Sequence, residues 1–317
     1  MYGLKTDIAV DLPSKYYSLE GYEKGVARWC PGCGDHAVLT NMKKLLREKQ
    51  LDPAKTVFLS GIGCSSRFPH YMNTYGFHGL HGRAFPVAEG VKFRRPDLNV
   101  FVVTGDGDTV SIGAGAWLHA IRYNMNMTVL LLNNEIYGLT KKQVSPTSRV
   151  GTVSNTTPDG SILPPISPVQ TTLGVTNASF VAQTADWNPV HMYETIKAGF
   201  EHKGFSFIHI IQRCPVFQGG LVEELTTNKD AMVYMEHENG IQLEEDMAKL
   251  FKYRTTHDPA DLSGARDLAS EQEKIYMGLF YQNKNAPCYD DYGSSNLGFT
   301  VEQKAVALEK ELDKYAI

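Results

Sequence analysis

Four short runs of apolar residues lie in the first two thirds of the chain, at residues 56–60, 99–104, 127–132 and 205–211. Each run is strand-sized, lacks polar alternation and opens into a segment that is polar or rich in glycine. Between the runs, apolar residues recur at helical spacing from Asp35 onward, after Ser111 and in residues 190–202. Strands that are apolar on both faces and alternate with helices are typical of parallel sheets covered by helices. We therefore predict an α/β fold with a doubly wound, mostly parallel sheet.

Three segments of the chain differ in composition and in their hydrophobic pattern. Residues 1–27 form an irregular, tyrosine-rich lead-in, residues 28–220 carry the strand–helix alternation, and residues 221–317 form an acidic, partly helical C-terminal extension. The extension ends in an amphipathic run over residues 301–315. Residues 151–170 contain four prolines and no periodicity, which predicts a long loop. Loops of this length in compact domains often serve as lids or partner contacts.

Composition narrows the class of protein. The formal net charge is −4, from 31 Lys and Arg against 35 Asp and Glu, which argues against a nucleic-acid-binding protein. No run approaches the roughly 18 apolar residues of a membrane span, and the N-terminus lacks the apolar core of a secretory signal. We expect a cytoplasmic protein with neither a membrane nor a nucleic-acid partner.

A metal–diphosphate site is predicted where two neighbouring strands end. Asp106 follows one apolar run, between Gly105 and Gly107, and Asn134 follows the next run, 28 residues later. Parallel strands joined by a helix place both loops at the same edge of the sheet, so the two side-chain oxygens can converge on one cation. Mg²⁺ prefers such oxygen ligands together with phosphate, and flanking glycines let a bulky anion approach the backbone.

Four of the five cysteines can meet at the same edge. Cys30 and Cys33 form a C-x-x-C pair, while Cys64 and Cys214 each follow a predicted strand. Four thiolates suit either Zn²⁺ or a 4Fe–4S cluster, and separate buried cysteines remain the alternative. Cys288 has no partner nearby in the sequence and is not assigned to the site.

Several motifs occur in a characteristic order: WCPGCG at 29–34, GIGCSS at 61–66, LHGR at 80–83, TGDGD at 104–108 and YGLTK at 137–141. The GDG segment followed by Asn133-Asn134 resembles the thiamine-diphosphate motif. Together the motifs resemble the β subunit of 2-oxoacid:ferredoxin oxidoreductases, most closely the 2-oxoglutarate type. The likeness covers residues 28–220 and implies the thiamine-diphosphate-binding fold.

This resemblance implies specific ligands. Mg²⁺ would be held by Asp106, Asn134 and the backbone carbonyl of Ile136, and a 4Fe–4S cluster by Cys30, Cys33, Cys64 and Cys214. Residues expected to contact thiamine diphosphate are Gly63, Cys64, Ser65, His81, Gly105, Asp106, Gly107, Asp108, Asn134, Gly138, Leu139 and Thr140. In the family the glutamate that activates the cofactor comes from an α subunit, so no catalytic residue is assigned here. The chain is expected to form a heterodimer with that subunit, assembled as (αβ)₂.

The expected reaction is coenzyme A-dependent oxidative decarboxylation of 2-oxoglutarate to succinyl-CoA and CO₂, or the reverse. Electrons would pass through the cluster to ferredoxin. Arg67, directly after Cys64-Ser65-Ser66, is the predicted ligand of the distal substrate carboxylate, because a guanidinium binds carboxylates bidentately. One alternative is the same chemistry on pyruvate or a branched-chain 2-oxoacid, and another is a zinc-stabilised, non-catalytic assembly subunit.

Overall fold

The computed structural model describes residues 16–227, 230–243, 245–249, 251–271, 273–293 and 300–315. Within them the strands are β1 (Thr56–Ser60), β2 (Tyr75–His78), β3 (Asn99–Gly105), β4 (Met127–Asn133), β5 (Ile136–Tyr137), β6 (Gln143–Val144), β7 (Phe180–Ala185), β8 (Phe205–Ile211), β9 (Met232–Glu236), β10 (Tyr253–Thr256) and β11 (Ile275–Gln282). The helices are α1 (Asp35–Glu48), α2 (Ala84–Arg94), α3 (Ala114–Tyr123), α4 (Pro168–Gly174), α5 (Pro189–Glu201), α6 (Gly219–Thr227), α7 (Glu245–Ala248), α8 (Leu262–Ser270), α9 (Asp290–Gly293) and α10 (Val301–Leu312).

In the described part of the chain, nine strands form one sheet in the order β10-β9-β11-β7-β8-β4-β3-β1-β2. Every neighbouring pair is parallel except β11 with β7. The four predicted strands are β1, β3, β4 and β8, and they lie side by side near the centre of the sheet. The predicted α/β, mostly parallel architecture is therefore confirmed.

Both faces of the sheet are covered, which explains why its central strands are apolar throughout. Along β3, Val100 and Val102 belong to the core under α2, α3, α4 and α8, whereas Phe101 and Val103 belong to the core under α1 and α5. Successive side chains of a strand point to opposite faces, so one uninterrupted apolar run serves two cores. Burying a Val or Phe side chain contributes about 1.5–3 kcal/mol, and these runs are thus a main source of the sheet's stability.

The C-terminal extension is partly helical, as predicted, and also supplies strands β9, β10 and β11 to the same sheet. These strands were not predicted from the sequence: β9 and β10 are short, and β11, although eight residues long, follows an acidic, helix-favouring segment. The amphipathic run at 301–315 forms α10, with Thr300 as its capping residue. Residues 1–15 of the predicted lead-in lie outside the described residues. The division at residue 220 stays a prediction.

The predicted loop at 151–170 has no helix or strand until α4 begins at Pro168. Backbone hydrogen bonds between residues 151–152 and Ser161 close its first half, and in its second half the Ile166 amide donates to the Pro146 carbonyl at 2.9 Å. Ile162 and Leu163 stand exposed at its outer side. The loop is therefore held in place at its base while it presents apolar side chains to the surroundings.

Candidate functional site

The strands β1, β3 and β4 deliver three loops to one cavity at their carboxyl ends. Gly105 at the end of β3 pairs with Leu132 in β4, so Asp106 and Asn134 leave the sheet side by side. The cavity measures about 110 Å³. Its lining includes Gly63, Cys64, Ser65, His81, Gly105, Asp106, Gly107, Asp108, Asn134, Gly138, Leu139 and Thr140, together with Ile62, Leu132, Ile136 and Tyr137. The structure thus brings together every residue that the sequence assigned to the cofactor.

The two proposed cation ligands are oriented by hydrogen bonds. Asp106 is buried, and Thr147 Oγ1 lies 2.7 Å from its Oδ2 atom. Burial raises the pKa of Asp106, while the Ser145 and Thr147 hydroxyls act in the opposite direction. The Asn134 side-chain oxygen accepts the Ile136 amide hydrogen at 3.2 Å. A buried carboxylate, an amide oxygen and the nearby Ile136 carbonyl form a hard-oxygen donor set, which suits Mg²⁺.

Two glycines allow the cavity walls to pack closely. A β carbon on Gly107 would lie 2.1 Å from the Tyr137 ring, and one on Gly61 would lie 2.1 Å from Asp108 Oδ2. Gly107–Ile112 forms a π-helical turn before α3, a feature frequent at functional sites. Bare backbone therefore faces the cavity where the sequence predicted a diphosphate.

Asp108 organises the loops around this cavity. Its Oδ1 atom accepts the amide hydrogens of Ile62 at 3.1 Å and Gly82 at 2.7 Å, and its Oδ2 atom accepts the Thr104 hydroxyl at 2.8 Å. His81 Nδ1 lies 2.5 Å from Oδ1. The carboxylate therefore joins the loop after β1, the loop before α2 and the end of β3.

The four cysteines line a second cavity of about 210 Å³. The Cys33 amide donates to the Cys30 carbonyl at 3.1 Å, closing the C-x-x-C turn, in which Gly32 has a left-handed φ of +78°. The Cys64 and Cys214 sulfurs each lie 3.7 Å from the point that a β carbon on Gly138 would occupy. All four cysteines thus line one cavity, and Gly138 leaves space beside the Cys64 and Cys214 sulfurs; their joint binding of one metal centre stays a prediction.

The surroundings of the Cys33, Cys64 and Cys214 sulfurs disfavour free thiolates. Burial, and to a lesser extent the nearby Asp35 carboxylate, raise the pKa of Cys64 to about 12. Burial and Asp35 likewise raise the pKa of Cys33, and burial raises that of Cys214. Without a metal these sulfurs are therefore neutral thiols, and a bound metal centre would have to displace their protons. Four soft thiolate donors fit thiophilic iron or zinc.

The two cavities are adjacent and share Cys64, Asn134, Gly138 and Leu139 in their walls. Arg67 lines the cysteine cavity, where its Nη1 atom donates to the Arg28 carbonyl at 3.2 Å. Cys288 is buried beside Asp290, in a different part of the fold.

Some residues of the site were not predicted from the sequence, because their role depends on partners that are distant along the chain. Gln212 follows β8 directly, and its side chain contacts both Asn134 and Cys33. Thr147 and Tyr137 also line or support the first cavity. The position of Gln212 between a predicted strand end and Cys214 was the one available signal in the sequence.

Two features are absent from the part of the chain that the structure describes. No group of three or more His, Cys, Asp or Glu side chains is arranged there to hold a single metal ion. No helix in the same residues is long and apolar enough to cross a bilayer.

Two family models match the chain. Residues 61–210 match the C-terminal thiamine-pyrophosphate-binding domain of thiamine pyrophosphate enzymes. Residues 244–295 match the C-terminal part of the β subunit of pyruvate ferredoxin oxidoreductase. The second match extends the likeness beyond the 28–220 segment on which the sequence motifs lie.

Curated relatives and a solved structure agree with these matches. The chain is 50% identical over 198 residues to the 2-oxoglutarate oxidoreductase subunit KorB of Mycobacterium tuberculosis, an alignment that covers 62% of this chain and 53% of that protein. It is 35% identical over 266 residues to the 2-oxoacid:ferredoxin oxidoreductase subunit beta of Saccharolobus solfataricus, covering 83% and 84%. The 2-oxoglutarate:ferredoxin oxidoreductase from Magnetococcus marinus, solved with 2-oxoglutarate, coenzyme A and succinyl-CoA bound, superposes with a TM-score of 0.77 at 37% identity, over 94% of this chain and 97% of that one.

Proposed function

The chain belongs to the β subunits of 2-oxoacid:ferredoxin oxidoreductases, and from this premise we propose that it is the cofactor-binding half of a 2-oxoglutarate:ferredoxin oxidoreductase. The reaction is the coenzyme A-dependent oxidative decarboxylation of 2-oxoglutarate to succinyl-CoA and CO₂, or its reverse. One observation carries the proposal. A cavity with the diphosphate–metal residues adjoins a cavity with four cysteines, in a fold that matches a 2-oxoglutarate enzyme over nearly its full length.

Thiamine diphosphate, when bound, supplies the electron sink for loss of CO₂ from a 2-oxoacid, and a 4Fe–4S cluster accepts the released electrons singly. This chain's residues hold those groups. Asp106, Asn134 and the Ile136 carbonyl bind Mg²⁺, and the glycine-flanked loop admits the diphosphate. Ser65, Thr140 and His81 are placed in the same cavity wall to donate hydrogen bonds to the cofactor.

The four cysteines hold the cluster, and their position explains how electrons leave the first cavity. Cys64 belongs to the walls of both cavities, so the cluster's own ligand adjoins the cofactor. Cys30 is exposed on the outer side. The arrangement suits transfer from the buried cofactor through the cluster to a carrier such as ferredoxin at the surface.

An α subunit completes the site. No residue of this chain is assigned the activating role of the family glutamate, which the α subunit would supply. Exposed apolar residues surround the cavity and the adjacent loop, with Leu139 and Ile112 beside the cavity and Ile162 and Leu163 on the loop. Such a surface is typical of a protein–protein interface. The assembly as (αβ)₂ and the cytoplasmic location stay predictions.

The central experiment is anaerobic co-purification of this chain with its α subunit, followed by metal and thiamine analysis. We expect iron, a brown colour and coenzyme A-dependent reduction of a viologen dye by 2-oxoglutarate. Preference for pyruvate or a branched-chain 2-oxoacid would move the substrate assignment to the alternative. Zinc in place of iron, with no thiamine diphosphate and no turnover, would instead support the assembly-subunit alternative.

Arg67 is proposed to bind the distal carboxylate of 2-oxoglutarate. A charge-assisted, bidentate contact contributes about 1.5–3 kcal/mol, so Arg67→Ala should raise the KM for 2-oxoglutarate roughly 10–100-fold. Activity with pyruvate should be nearly unchanged, because pyruvate has no second carboxylate. Arg67→Lys is the matched control, since it keeps the charge and loses the planar fork. Equal losses with both substrates would remove the specificity role.

A further inference from the structure

Gln212 lies between the two cavities and contacts a ligand residue of each. Its side chain is buried directly after β8, and its backbone amide donates to the Asn133 carbonyl at 2.8 Å. The Oε1 atom accepts a hydrogen from Asn134 Nδ2 at 2.8 Å. The Nε2 atom donates to the Cys33 sulfur at 3.2 Å and to the Arg213 carbonyl at 2.6 Å. One amide group thus spans the distance from the proposed Mg²⁺ ligand to a proposed cluster ligand.

The direction of these hydrogen bonds is set by backbone groups at both ends. The Ile136 amide can only donate, so the Asn134 atom that faces it is the oxygen, and Asn134 must present its nitrogen to Gln212. The Arg213 carbonyl can only accept, so Gln212 must present its nitrogen to Arg213 and to the neighbouring Cys33 sulfur. The orientation of both amides therefore follows from the backbone and does not depend on any titratable group.

We propose that Gln212 is a positioning residue that connects the two cofactor sites, orienting Asn134 as an oxygen ligand and raising the reduction potential of the cluster through its hydrogen bond to Cys33. The inference rests on the proposed function, because it requires both cofactors. An N–H···S hydrogen bond stabilises the more negative, reduced form of an iron–sulfur centre. The Asn134 amide, once its oxygen binds a cation, becomes a stronger donor, and chains of hydrogen bonds polarise one another. Cofactor loading should therefore strengthen the Gln212–Cys33 bond.

The test uses the anaerobically purified αβ complex and measures the midpoint potential of the cluster by titration followed with electron paramagnetic resonance. In the wild type, adding Mg²⁺ and thiamine diphosphate should raise the potential. Gln212→Met keeps the length of the side chain and removes both hydrogen-bonding functions. It should lower the potential by about the 59 mV that corresponds to a tenfold change in a one-electron equilibrium, and it should abolish the shift on cofactor loading.

A second variant and a control separate this role from simple damage to the fold. Gln212→Glu keeps size and acceptor but loses the donor and adds negative charge, so its potential should fall below that of Gln212→Met. Gln212→Met should need roughly tenfold more Mg²⁺ for thiamine diphosphate binding, since Asn134 loses its orienting partner, whereas Gln212→Glu keeps the acceptor for Asn134 Nδ2 and should keep the wild-type Mg²⁺ requirement. Gln50 is a matched control, because its amide also makes three hydrogen bonds, all with backbone groups of Tyr17 and Arg47, and is not in contact with the cysteines. Gln50→Met should leave potential and Mg²⁺ dependence unchanged.

Four results would overturn the inference. If the midpoint potential of the wild-type cluster does not change when Mg²⁺ and thiamine diphosphate are added, the two sites are not connected, and no variant is needed to show it. Iron-loaded Gln212 variants with the wild-type potential remove the role of the hydrogen bond to Cys33, as does an equal shift in Gln50→Met. A wild-type complex that contains no iron would refute the proposed function, and this inference with it, which distinguishes the two failures.

Discussion

Asp108→Ala should destabilise the protein by removing the acceptor around which three loops converge. Its carboxylate is 3% exposed and is contacted by the Ile62 and Gly82 amides, the His81 ring and the Thr104 hydroxyl. Thr104 retains a partner in the hydroxyl of Thr109, at 2.9 Å, and His81 is partly exposed to water. Two amides lose their acceptor.

An amide left without an acceptor costs about 1–3 kcal/mol, so the loss should total about 2–6 kcal/mol. For a chain of 317 residues each kcal/mol corresponds to about 1.5 °C in the midpoint of thermal unfolding, so we expect a fall of about 3–9 °C. Circular dichroism of the purified complex measures this midpoint. Asp108→Asn keeps an oxygen for the two amides and should lose less than half as much.

A double-mutant cycle with Gly61 isolates the packing of this carboxylate. Gly61 does not have a left-handed φ, so alanine there meets mainly the Asp108 side chain, 2.1 Å from the added β carbon. Gly61→Ala alone should cost about 1–3 kcal/mol through overpacking. In the Asp108→Ala background that clash is absent, and the cost should fall below about 0.5 kcal/mol. Equal costs in both backgrounds, or a milder effect of Asp108→Ala than of Asp108→Asn, would refute this account of the site.

Two further predictions concern other parts of the chain. Cys33→Ser should lower the iron content of the complex severalfold. Cys288→Ser should leave the iron content unchanged, because Cys288 lies beside Asp290 and not in the cysteine cavity. Iron analysis of both variants tests this prediction, and an equal loss of iron would contradict the assignment. Burial raises the pKa of Glu89 from 4.5 to about 7. The folded protein therefore loses stability as the pH rises from 4.5 to 7, and above pH 7 it carries a charge on this partly buried carboxylate. Glu89→Gln should therefore raise the unfolding midpoint at pH 8 and have little effect at pH 5, and an equal effect at both pH values would show that charge burial is not the cause.

Much of the site could be predicted because its chemistry sits at strand ends. The runs that form β3 and β4 can be recognised as strands from their apolar composition, and the carboxyl ends of parallel strands lie at one edge of the sheet. Asp106, Asn134 and the cysteines after β1 and β8 follow those runs directly. Predicting the arrangement of the donor atoms therefore required only local sequence patterns and the handedness of strand connections.

The outer strands were harder, for a physical reason. β7 is interrupted by the polar Gln183, β2 is exposed throughout, β9 and β10 are short, and β11, although eight residues long, follows an acidic, helix-favouring segment. Their strand conformation depends on pairing with neighbours, as β11 does with β7 across about 100 residues of chain. Local propensity does not report such pairing.

The sequence by itself determined the central sheet and the order of its loops, and it predicted the residues that would carry cofactor chemistry, because these depend on periodicity and on position along a strand. Only the tertiary structure decided that Asp108 is saturated by protein donors and that Gln212 joins Asn134 to Cys33. The Gln212–Cys33 contact links residues 179 positions apart. A hydrogen bond needs its two atoms placed to within a few tenths of an ångström, and that placement results from the packing of the whole sheet and its helices.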